Sequence, residues 1–329
     1  MFVPILLATV CLASSTVLAT IDKPFYDLQD AENLFKEFVQ EHKKVYNRKE
    51  YYERLEIFKE NLIDINERNA MFPETVFAVN HFSDLKPKEL DIYFGSMPTN
   101  ETTHKIEVPS ELDPMPYNFD WRTKHAVSHV KDQGKCGSAY IFSAIGAIEG
   151  RYAVKHKQCF ALSEGQVLDC LNSTSCSEGS PSTVLVELYK KKFRIEKEED
   201  YPYVPQKQAC KKHNGKGKVQ VTDGVLQVIT NADIGLMTGL LYMGPLSVGI
   251  HPSDFISYKG GIITPNKCKG EDKYISLLLV GYGVEKGKQY WILKHSWGEQ
   301  YGEKGYSRMY QEDNACGIFD HVYTVASVQ

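Results

Sequence analysis

At 329 residues the chain is long enough for a sizeable core, and length alone suggests about two domains. Hydrophobic residues make up 42% and charged residues 24%, which is ordinary for a soluble globular protein. The formal net charge of −4 and the lack of a Lys/Arg cluster point away from nucleic acid and from an anionic membrane surface.

The chain opens with an apolar or small-residue run from Met1 to Ala19, too short for a membrane span of roughly 20 residues plus flanks. It ends in Val17-Leu18-Ala19, a small-residue cleavage pattern, so residues 1–19 read as a signal peptide, although no Lys or Arg precedes the apolar run. The expected location is secreted/extracellular or the endolysosomal lumen. Cys11 leaves with the signal, and seven cysteines remain, which in an oxidising compartment pair and leave one over. No CxxC pairs of zinc-finger type occur, so neither a metal nor a cofactor is expected.

Residues 20 to about 70 are highly charged and helix-patterned. Leu34, Phe35, Phe38 and Val39 form one apolar face; Tyr52, Leu55, Ile57, Phe58, Leu62 and Ile65 form a second run. Thr75 to Phe82 alternates like a strand, and residues 96–118, with four prolines, read as an extended linker. Beyond it, Ser138 is placed to cap a helix with Ile141, Ile145, Ile148 and Tyr152 at helical spacing. Ser163-Glu164-Gly165-Gln166 is a capping-box pattern opening another helix. From about residue 224 the signal is strand-like: 225–229, 246–250, 275–280 and 290–293. A helical half thus precedes a β-rich half, with a cleft between them as a natural binding site.

Gln133-Gly134-Lys135-Cys136-Gly137-Ser138-Ala139-Tyr140-Ile141-Phe142-Ser143 resembles the nucleophile segment of papain-family cysteine peptidases, normally QGxCGSCWAFS. Asp120-Trp121-Arg122, Tyr201-Pro202-Tyr203, Gly281-Tyr282-Gly283, Ser296-Trp297-Gly298 and Ala315-Cys316-Gly317 follow in family order. Upstream, Glu50, Arg54, Ile57, Phe58, Asn61, Ile65 and Asn69 match the ERFNIN spacing of cathepsin-L-like prosegments, and Asn80, Phe82 and Asp84 match the NxFxD after it. The resemblance implies an α+β, papain-like two-lobed fold, with a helical lobe over about 120–220 and a β-barrel-like lobe over about 221–329. A helical, inhibitor-type prosegment over 20–112 would precede this peptidase domain of residues 113–329.

The same resemblance implies three bridges, Cys136–Cys176, Cys170–Cys210 and Cys268–Cys316. Each closes a loop of about 40–50 residues, for roughly 4 kcal/mol apiece in the chain-entropy model. Cys159 is left over, either as a reactive thiol or, as favoured here, a small apolar core residue.

Papain-type hydrolysis needs a thiolate, an imidazole that shuttles the proton, and an amide that orients the imidazole. By position these fall on Ala139, Ile275 and His295. Taking Cys136 as the nucleophile instead would strand Cys176. His295 reads as a hydrogen-bonded filler for the lost amide rather than a displaced base or a metal ligand. Retained are Gln133 at the oxyanion position and, as cleft residues, Gly179, Ser180, Pro181 and Trp297; Tyr140 and Tyr301 stand at usual Trp positions. A proteolytically inactive homologue is expected, and a monomer. Its expected ligands are peptides or proteins in the cleft, cystatin-type inhibitors or active cathepsins among them. A peptidase with residual activity and a structural or storage protein are the alternatives. The sequons at Asn100 and Asn172 are candidate glycosylation sites.

Overall fold

The structure is a computed structural model that describes residues 22–94, 116–211, 217–228, 233–252, 255–264, 274–312 and 314–329. The proposed signal peptide, Asn100, most of the linker and Cys268 lie outside the described residues. Among the described residues no helix is long and apolar enough to cross a membrane.

The first region is a helical hairpin, α1 (Ala31–Glu41) and α2 (Arg48–Met71). The Asn47 side chain caps α2 by accepting from the amides of Lys49 and Glu50. Leu55, Phe58, Leu62 and Ile65 recur every three or four residues and are buried, and Phe58 packs on Phe35 and Phe38 with ring centroids 5.3 and 5.0 Å apart. Tyr52, expected on this face, is exposed. At 3.6 residues per turn it projects roughly 100° away from the buried stripe.

The ERFNIN-type polar residues hold the returning chain against this hairpin. Asn69 donates to the carbonyls of Pro24 and Phe77 and accepts from the Phe77 amide, Asn61 donates to Ser83 O, and Arg54 binds Glu89 and Asp84 O. That chain forms β1 (Thr75–Phe77) and α3 (Pro87–Leu90), with a 3-10 turn over Asp91–Phe94. The strand expected over 75–82 is shorter because Asn80 starts a turn: Ser83 Oγ accepts from its amide, and its own side chain accepts from Phe82 N.

Next in the chain come β2 (Phe119–Asp120), α4 (Ala139–His156), α5 (Glu164–Cys170), α6 (Pro181–Lys190), β3 (Arg194–Ile195), β4 (Val219–Val228) and α7 (Ile234–Leu241). Then follow β5 (Leu246–Ile250), β6 (Tyr258–Ile263), β7 (Ile275–Glu285), β8 (Lys288–Lys294), β9 (Tyr306–Tyr310) and β10 (His321–Val328). The sheet runs β1-β6-β9-β8-β7-β5-β10-β4-β3, with β2 added to β7. Only the β6–β9 pair is parallel among those described.

Two expected caps change. Ser138 precedes α4 without capping it; its hydroxyl bonds Tyr203 Oη at 2.8 Å instead. Ser163 does accept from Gln166 N, but the Gln166 side chain turns to the Glu196 amide, so the box is half closed. The lobes also interleave. Tyr323, Val325 and Val328 of the last strand join the core of the helical lobe with Ile141, Ile145 and Leu185, while Phe119 and Trp121 from the start of the domain enter the β-lobe core.

Candidate active site

Ala139, Ile275 and His295 come from the start of α4, the start of β7 and the residue after β8. Ala139 and His295 line one small cavity with Ser143, Ser276 and Ser296. Its volume, about 20 Å³, is room for one water molecule. Ile275 does not line it; it pairs with Ile250 across the sheet and is buried in the β-lobe core with Phe255 and Trp297.

His295 is almost wholly buried. Its Nε2 lies 2.7 Å from Ser307 Oγ, and its ring packs on Tyr301 and Trp297 at 4.5 and 4.8 Å between centroids. Burial drives its pKa down to about 3, so the imidazole is neutral at physiological pH. The hydroxyls around Ala139 are committed: Ser143 Oγ bonds Ser247 Oγ and Leu277 O, each at 2.6 Å.

The same cavity is lined by a buried ionic cluster of Lys131, Glu149, Glu164 and Lys294. Lys131 Nζ lies 3.0 Å from Glu149 and 2.7 Å from Glu164. Ser128 Oγ donates to Glu149, and Lys294 Nζ donates to Ser128 O at 3.0 Å. Burial lowers the Lys294 pKa to about 8 and raises that of Glu164. Sequence reading missed these four charges because nothing in their spacing brings them together.

Gln133 is fully buried; its Nε2 donates to Cys136 O at 2.9 Å and its Oε1 accepts from Ser296 Oγ at 2.7 Å. Gly179 lies flat against the Tyr140 ring, where a Cβ would come within 2.3 Å of the ring carbon. Tyr140 in turn fastens Ser175, donating to its carbonyl and accepting from its amide. Ser180, Pro181 and Trp297 are buried, the first two at the opening of α6. The bridges Cys136–Cys176 and Cys170–Cys210 are formed. Cys316 is also disulfide-bonded, its expected partner Cys268 lying outside the described residues. Cys159 is free and half-buried, and burial raises its pKa.

The N-terminal region covers this site. Phe82 packs edge-on against Trp297 at 4.9 Å, and Tyr93 stands against the same indole at 6.3 Å. Around them β1 pairs with β6, Ala78 N donates to Ser257 O, and Asn80 Nδ2 donates to Ile256 O. The NxFxD spacing marked Asn80 and Phe82, but neither Tyr93 nor what these residues would touch. Asn172 is exposed, whereas the Thr174 hydroxyl of its sequon is buried and donates to Leu168 O at 2.8 Å.

Comparison with known proteins places this geometry. The family model "Papain family cysteine protease" matches residues 115–326, and "Cathepsin propeptide inhibitor domain (I29)" matches residues 35–90. The viral cathepsin of Adoxophyes honmai nucleopolyhedrovirus is 33% identical over 317 residues, 92% of this chain and 93% of the relative. That of Antheraea pernyi nuclear polyhedrosis virus is 35% identical over 309 residues, 92% and 94% of the two chains. Among solved structures, digestive procathepsin L 3 of Tenebrio molitor larval midgut superposes with a TM-score of 0.81 at 31% identity, covering 90% of this chain and 99% of that one. Procathepsin L2 proteinase from the same source gives 0.83 at 27% identity, covering 90% and 100%. A cathepsin-type propeptide domain followed by a two-lobed α+β domain, matched along both, means that the chain belongs to the papain family of cysteine proteases.

Proposed function

We propose that this papain-family chain does not hydrolyse peptides and acts as a binding protein on the protease scaffold. The observation that carries the proposal is Ala139, a methyl group at the family's nucleophile position. Ile275, at the base position, cannot accept a proton. His295, at the position of the orienting amide, is a buried neutral imidazole whose Nε2 bonds Ser307 and whose Nδ1 has no hydrogen-bond partner. Loss of one member of such a triad costs on the order of 10⁶ in rate. Cys136 is tied in a disulfide, and the free thiol of Cys159 has its pKa raised by burial, the opposite of activation.

Binding in the cleft would take a peptide, a cystatin-type inhibitor or an active cathepsin. The ligand must displace the Phe82 and Tyr93 cover or meet a chain from which residues 20–112 have been removed. The disulfides support an oxidising compartment, secreted or endolysosomal. A second reading, cysteine-type endopeptidase activity, draws on the viral cathepsins named above. A structural or storage role on an inherited fold is the third.

The test is a peptidase assay of the purified full-length chain from about pH 4 to 8. We expect no turnover and no self-removal of the propeptide near Asp113-Pro114. Thiol-dependent turnover that survives Cys159→Ala would overturn the proposal.

A further inference from the structure

A second concave site, separate from the small cavity at Ala139, lies at the seam between the propeptide domain and the papain-like domain, with the cleft-covering Tyr93 in its lining. It is a pocket of about 720 Å³, within the roughly 300–1,000 Å³ typical of small-molecule sites. Five cationic side chains line it against three carboxylates, in a chain whose formal net charge is −4. The carboxylates are spoken for: Asp84 binds Lys44 at 2.9 Å, Glu89 binds Arg54 at 2.7 Å, and Glu50 lies 3.4 Å from the same guanidinium.

Lys43, Lys88 and Lys135 are left without a carboxylate partner among the described residues. They come from three separate stretches: the turn after α1, helix α3, and the loop before Cys136. His81, also in the lining, has a buried Nδ1 with no hydrogen-bond partner, its ring tilted against Phe82 at 3.8 Å between centroids. A partly enclosed pocket with an excess of one charge sign focuses its field and concentrates counter-ions of the other sign.

We infer that this pocket binds a small multivalent oxyanion, a phosphate or sulfate ester, held between Lys88 of the propeptide domain and Lys135 of the papain-like domain. Such a ligand links the two domains, because neither alone supplies all the cations. The inference does not depend on whether the cleft is catalytic.

The experiment is calorimetric titration of the full-length protein with inorganic tripolyphosphate and, separately, with sucrose octasulfate; sucrose serves as the uncharged control. We expect saturable binding of at least one polyanion, a Tm that rises with its concentration because only the folded state binds, and no response to sucrose. Tighter tripolyphosphate binding identifies a phosphate ligand, and tighter octasulfate binding a sulfated one. Lys88 and Lys135 are exposed, so the double variant Lys88→Ala/Lys135→Ala keeps the fold, and we expect it to weaken binding by at least about tenfold, or 1.4 kcal/mol. Lys190→Ala, on α6, should leave binding unchanged. The inference is overturned if neither polyanion saturates, or if the double variant binds as tightly as the parent.

Discussion

Phe82 of the propeptide domain and Trp297 of the papain-like domain meet edge to face, ring centroids 4.9 Å apart and planes at 79°. Both are almost wholly buried, and Tyr301 completes the cluster, its ring 4.7 Å from Trp297 and its hydroxyl donating to Phe255 O. This contact closes the cleft from above while His295 packs beneath the same indole. Phe82→Ala should therefore destabilise the chain by about 3–5 kcal/mol. Amide exchange over Tyr258–Ile263, the strand on which β1 docks, should accelerate in that variant. Unchanged exchange there would show that β1 holds without its aromatic anchor.

The imidazole of His295 gives a pH dependence with a definite sign. The unfolded chain takes up a proton on this residue below about pH 6.5, whereas the folded chain resists until about pH 3. Stability is then full above the unfolded value and is lost as pH falls from about 6.5 towards 3. At pH 4.5 the loss from this one group is about 2–3 kcal/mol. His81, whose pKa burial also lowers to about 3, adds a second loss in the same window. His295→Asn should flatten the dependence by one histidine's share. Urea melts at neutral pH and near pH 4.5 measure the difference.

Gly179 and Tyr140 act as a unit. With the would-be Cβ 2.3 Å from the ring, Gly179→Ala should cost about 1–3 kcal/mol through overpacking. In a Tyr140→Ala background the same change should cost far less, since the ring it strikes is gone. A double-mutant cycle by thermal melting reads the coupling. Additive costs would mean that the segment moves away from the ring.

The proposed loss of the catalytic centre can be tested by rebuilding it. Ala139→Cys, Ile275→His and His295→Asn together should create a thiol that reacts with an epoxide inhibitor once an added protease has removed the propeptide. Ala139→Cys alone should label slowly, since an unpaired thiol keeps a pKa near 8.5. The triple variant should also melt lower, because it puts a polar imidazole where Ile275 is buried in the β-lobe core with Phe255 and Trp297. A single variant that labels as fast as the triple would reveal another base; the neighbouring imidazole of His295 on the same cavity is the one to remove next.

Asn172 is exposed beside α6, so a glycan there should be carried by the protein when it is expressed through a eukaryotic secretory pathway. Asn172→Gln should remove the shift in mobility that an endoglycosidase otherwise produces. No shift in the parent protein would leave this sequon unused.

What the sequence by itself determined is whatever is written in short-range spacing. The family came from runs such as Gln133 to Ser143 and from the seven ERFNIN positions of one helix, and the assignment of Ala139, Ile275 and His295 to the chemical positions rests on the same spacing. The apolar stripe of α2 and the strand at 246–250 were legible because their periods are local. Tertiary structure decided which of these residues meet. It put Ala139 and His295 on one cavity and sent Ile275 into the core, laid Phe82 on Trp297 across more than two hundred residues, and carried β10 back into the helical lobe. It also gathered Lys131, Glu149, Glu164 and Lys294 into one buried cluster, where each ionisable group is tolerable only because the others are there. Such contacts leave no periodic trace, since they depend on how separate elements pack and not on the propensity of any one of them.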